Sequence, residues 1–135
     1  MKGTKLIKYA SASIAAFFAF TVAAPAKSPA MAAIDGLQKG TWTLKQRGSA
    51  DNRREVCLGD VIKLTQIQHG NANCTRYIIE NAPNKLRLSY KCGNLGHGVT
   101  EIRRESSGLI QIYSQGIANG APFSISLEGR RTGPC

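Results

Sequence analysis

With 135 residues, 42% of them hydrophobic and 19% charged, the chain is sized for one globular domain and is too apolar to stay disordered. A formal charge of +10 favours acidic partners by electrostatics. These numbers set one domain as the ceiling.

The chain opens with Lys2, Lys5 and Lys8, continues with the apolar stretch "SIAAFFAFTVAA" over 13–24, and reaches the small-residue tripeptide "APA" at 24–26. That order predicts a secretory signal peptide over residues 1–26, cut after Ala26. Cuts after Ala30 or within "MAA" at 31–33 satisfy the same small-residue rule. A membrane-spanning helix needs about 20 apolar residues, and Pro25, Lys27 and Pro29 interrupt too soon, so no transmembrane segment is expected after cleavage. Removing three lysines and no acids lowers the charge from +10 to +7 on 109 remaining residues. Candidate partners outside the cytosol are anionic lipids and other components of the cell envelope; the address, rather than the charge, argues against nucleic acid. Like charges never run beyond two residues, the "RR" pairs at 53, 103 and 130, which disperses the potential.

Residues 27–39 are rich in Ala, Gly and Pro and read as a flexible lead-in with one short turn. A single domain then fills 40–135. "TWTLKQR" at 41–47 alternates, with Trp42 and Leu44 on one side, and predicts a half-buried strand. "GSADN" turns, and "RREVCL" at 53–58 is a short second strand. In "GDVIKLTQIQ", 59–68, Asp60 is placed to cap a short helix carrying Val61, Leu64 and Ile67 on one face. Five further strands follow at 74–80, 85–92, 98–105, 109–117 and 122–131. Asn119-Gly120 is the strongest hairpin signal among their turns. The predicted fold is all-β and mainly antiparallel: a seven-stranded meander forming an open or partly closed barrel, with one short α-helix.

Cys57, Cys74, Cys92 and Cys135 are even in number and lie downstream of the signal, which predicts two disulfides from three possible connectivities. A hairpin around "NAPNK" brings Cys74 to Cys92 and leaves Cys57 for Cys135, clamping the tail to an early strand. Direct opposition of Cys74 and Cys92 sets Arg76 against Tyr90 and Glu80 against Leu86. A one-residue shift instead pairs Tyr77 and Ile79 with Tyr90 and Leu88. Both cannot hold without a bulge, so an irregularity is expected near Cys74. His69 and His97 each sit five positions from a cysteine, a spacing that is not a zinc pattern; they are read as loop residues, and no metal or other cofactor is expected.

The Gly40-x-Trp42 strand start, "CLGD" leading into a helix, the cysteine-bounded hairpin and the terminal "GRRTGPC" together resemble the bacterial domain of unknown function 3617 family. The resemblance covers the whole mature domain and implies a small exported disulfide-bonded β protein, with no activity and no catalytic residues to carry over. Gly-x-Trp before a meander also resembles the start of a lipocalin, which implies a carrier of small apolar ligands with Trp42 facing the ligand. No nucleophile elbow, zinc-protease helix or phosphate loop is present, and "EIRRE" at 101–105 reads as charges paired on a solvated face, so catalysis is not expected. The candidate ligand-binding residues are Trp42 and the arginines Arg103, Arg104, Arg130 and Arg131, which form one anion-binding patch if their strands are neighbours. A small β inhibitor of an envelope enzyme is a further reading; its +7 charge requires an acidic target.

Overall fold

The computed structural model describes Gly3, Ala24 and residues 30–135; the predicted signal peptide lies, apart from two isolated positions, outside the described residues. Seven strands form one antiparallel sheet: β1 (Gly40–Gln46), β2 (Arg53–Leu58), β3 (Thr75–Ala82), β4 (Lys85–Lys91), β5 (Gly96–Ser106), β6 (Leu109–Ala118) and β7 (Ala121–Gly133). Their order is β2-β1-β7-β6-β5-β4-β3, so β3 to β7 run as a meander and the last strand closes onto the first. The sheet is not closed, because β2 and β3 both remain edges. Asn119 (φ 51°) and Gly120 (φ 80°) make the tight β6–β7 turn with both central residues in the left-handed region, the conformation that lets a two-residue hairpin follow strand twist.

Side-chain alternation sends one face of the sheet inward. Trp42, Leu44, Leu86, Leu88, Ile102 and Ile110 are all 1% exposed or less on it. Two short helices cover this face: α1 (Ala32–Asp35), and a 3-10 helix over Val61–Gln66. The predicted helix over 59–68 is therefore the tighter 3-10 form, and Asp60 does cap it, its side chain accepting from the Ile62 amide at 3.1 Å. The only α-helix among the described residues lies in the stretch read as a flexible lead-in. Ala33, Ile34 and Leu37 belong to the core, the Trp42 indole donates to Gln38 O at 2.9 Å, and Asn81 donates to Ala30 O at 2.7 Å. Four residues, three of them apolar, are too few to show a helical period, so burial rather than propensity holds this segment.

Both disulfides pair as expected, Cys57 with Cys135 and Cys74 with Cys92. Two bridges and no free cysteine suit an oxidising, non-cytosolic environment. Among the described residues no helix is long and apolar enough to cross a membrane. The Cys57–Cys135 bridge passes over the end of β1: Thr41 pairs with Cys57 on one side and Gly133 on the other, and the Thr41 hydroxyl donates to Pro134 O at 2.8 Å.

One register expectation needs correcting. Next to Cys74 the hairpin is regular, with Arg76 opposite Tyr90 and Ile78 opposite Leu88, and the irregularity falls at Ile79, between Ile78 and Glu80. The extra residue turns Glu80 outward, opposite Arg87, where Lys85 reaches it at 3.0 Å. Pairing is thus direct at the cysteine end and shifted by one at the turn end, so the charges near the turn stay in water.

Candidate functional site

Strand pleating decides where each candidate side chain goes. Arg103 and Arg130 are on the outer face, and both are exposed beside in-strand carboxylates, Glu105 at 3.4 Å and Glu128 at 3.2 Å. Arg104 and Arg131 take the opposite face. Arg104 donates to Pro83 O at 3.0 Å, and Arg131 donates to Lys39 O at 2.8 Å, so both tie down neighbouring backbone. The two arginine-bearing strand segments are brought close together by β6, which pairs with both β5 and β7, yet the arginines divide between two faces. Trp42 is 0% exposed and belongs to the core.

His97, read as a loop residue, falls inside β5, whereas His69 lies in the turn after the 3-10 helix, as read from the sequence, and anchors a polar chain. Its Nε2 lies 3.2 Å from both Leu95 O and Ile117 O, which requires the proton there. Nδ1 then accepts from the Tyr90 hydroxyl at 3.1 Å. Tyr90 also hydrogen-bonds Ser114, and Ser114 meets Thr100 at 2.8 Å. Burial raises the Tyr90 pKa above its ordinary value of 10.0, with the Ser114 bond pulling the other way. A side chain at Gly98 would collide with this tyrosine, its Cβ falling 2.7 Å from the hydroxyl. The glycine is required by close approach.

Among the described residues no element covers the outer face, and a groove of about 780 Å³ crosses β3 to β6 there. Its floor is two cross-strand rows. Tyr77, Ser89, Val99 and Gln115 pair in sequence across one, and Thr75, Lys91, His97 and Ile117 across the other. Gly98 and Gly116 face each other between these rows. Tyr77 is 74% exposed at the edge-strand end. Arg76 belongs to the strand under the groove, but its side chain takes the helix-covered face opposite Tyr90, its guanidinium donating to Thr65 Oγ1 at 3.2 Å, to Cys74 O at 3.3 Å and to Gln66 Oε1. These acceptors are all neutral.

Charge is distributed unevenly over that face. Glu80 and Glu101 flank Lys85, Glu105 meets Arg103, and Glu128 meets Arg130. Around the groove no carboxylate lines the wall, and Lys91 has no acidic partner, among the described residues. No cluster of three His, Cys, Asp or Glu side chains suited to a metal occurs among the described residues. Sequence reading missed Tyr77, Lys91 and Val99 as site residues; the available signal was an apolar or aromatic residue on the polar side of alternating strands. No family model, curated protein or solved structure matches this chain.

Proposed function

We propose that this is an exported, non-catalytic binding domain of the periplasm or cell envelope, which uses its open sheet face as the binding surface. The observation that carries the reading is the asymmetry of the sheet: α1 and the 3-10 helix pack one face, while the other is covered by none of the described residues' elements and holds the 780 Å³ groove. That volume falls in the range of small-molecule sites, roughly 300–1,000 Å³. The basic, small-residue-bounded leader, the two bridges and the resemblance to the domain of unknown function 3617 family support export. A non-catalytic role is supported by the placement of the histidines: His69 is committed to two backbone carbonyls and a tyrosine, and no carboxylate lines the groove.

Native mass spectrometry of protein recovered from its own compartment tests this. The expected result is a stoichiometric adduct that is displaced when the outer face is altered at Tyr77. Recovery of only the bare chain, together with turnover of an envelope substrate by the purified protein, would overturn the reading.

A further inference from the structure

The geometry points to the groove over β3–β6 as a site for a single-chain amphiphilic anion, an acyl carboxylate of medium length. This rests on the binding role proposed above and names its ligand. Three observations converge. First, the groove spans four strands, about 14 Å at the usual strand spacing, and offers Val99 and Ile117 as apolar floor with Tyr77 standing at the edge-strand end. An acyl chain of medium length matches that reach.

Second, its charge is one-signed. Lys91 is exposed and has no carboxylate partner among the described residues, while Glu80, Glu101, Glu105 and Glu128 on the same face each stand beside a lysine or arginine. An ammonium with no carboxylate beside it leaves positive potential that an anion lowers. Third, Thr75 lies directly opposite Lys91 across the β3–β4 pair. The hydroxyl, which here makes only a long bond to Lys91 O at 3.5 Å, can turn from it so that it and the ammonium are two donors for one carboxylate, and a charge-assisted bond of that kind is about twice as strong as a neutral one. The head belongs at Thr75 and Lys91, and the chain lies across Val99 towards Ile117.

Decanoate, decanol and decyltrimethylammonium, each below its micellar concentration, separate the contributions by calorimetry on the whole mature chain. Amide chemical shifts report where they bind. Decanoate is expected to bind one per chain, about tenfold or more tighter than the neutral and cationic analogues, with shifts confined to β3–β6. Lys91→Gln is expected to remove most of that preference, Lys91→Arg to retain it, and Lys45→Gln, remote on β1, to leave it unchanged. The proposal is overturned by equal affinity for the three amphiphiles, by equal effects of the Lys91 and Lys45 substitutions, or by shifts on other strands. Binding seen only with anionic phosphatidylglycerol vesicles, and not with monomeric decanoate, assigns the face to a membrane surface and overturns it too. If decanoate fails while the native protein still carries an adduct, the ligand class is wrong and the binding role stands.

Discussion

Tyr90 shows how one side chain joins packing to polar satisfaction. Its ring is buried over Gly98, and its hydroxyl stands between His69 and Ser114. Tyr90→Phe keeps the ring and strips a partner from each neighbour, at a cost of about 1–3 kcal/mol for polar groups left unsatisfied. A second signature comes from linkage. Burial holds the folded pKa above 10.0, so below pH 10 the hydroxyl is protonated in both states and has no pH effect. Above it the unfolded chain releases its proton first, and stability falls with rising pH. Urea midpoints measured from pH 8 to 11 should show this alkaline decline in the native chain and a shallower one in the Phe variant. Equal slopes would remove Tyr90 as its source.

Arginine placement was legible at the same scale. Residues adjacent in a strand point to opposite faces, so Arg103 with Arg104, and Arg130 with Arg131, never share a surface. The partners of Arg104 and Arg131, Pro83 O and Lys39 O, were not legible, because both lie in loops brought in by tertiary packing.

At the scale of elements, alternation and turn chemistry located all seven strands within a few residues, since each inward face must be apolar for a one-sided sheet to bury it. α1 escaped this logic. Four residues are too short to display a 3.6-residue period, and the segment is helical because Ala33 and Ile34 fill the core face over β3–β5. The groove escaped for a different reason: its rows join residues from four strands, with Thr75 and Ile117 at the two ends of one, and these fall into line only through register.

With export as proposed, α1 limits where a peptidase can cut. Of the sites that satisfy the small-residue rule, a cut after Met31 removes the residue whose carbonyl accepts from the Ile34 and Asp35 amides, and cuts after Ala32 or Ala33 remove part of α1 itself. Ile34 is 1% exposed, and giving up a buried isoleucine as the helix unravels costs about 2–5 kcal/mol, a large share of the stability of a domain this size. The mature chain isolated after export is therefore expected to begin no later than Met31, and intact mass reads that directly. A start at Ala32 or beyond, in a protein of unchanged stability, would refute the structural role given to α1.

For the whole molecule, the two bridges differ in accessibility and in the loop each closes. Cys57 and Cys135 are exposed at the end of the sheet, whereas Cys92 is 4% exposed. A thiolate reductant must reach a sulfur in line with the bond it breaks, so mild dithiol treatment should open Cys57–Cys135 first. That bridge spans 78 positions and Cys74–Cys92 spans 18. Chain-entropy estimates assign about 4.5 and about 3 kcal/mol to the two. The first to open is thus also the more stabilising. Its loss frees the end of β7 from β2 while leaving the β3–β4 hairpin, and hence the groove, tied at Cys74. Peptide mapping during stepwise reduction, paired with thermal melts, should show one large fall in Tm on opening the first bridge. Amide exchange should rise first in β1, β2 and the end of β7, with β3–β6 protected until the second bridge opens. Simultaneous reduction of both bridges, or exchange beginning in β3, would mean that the sheet opens from its groove edge, and the tail clamp would no longer account for the stability of so small a β domain.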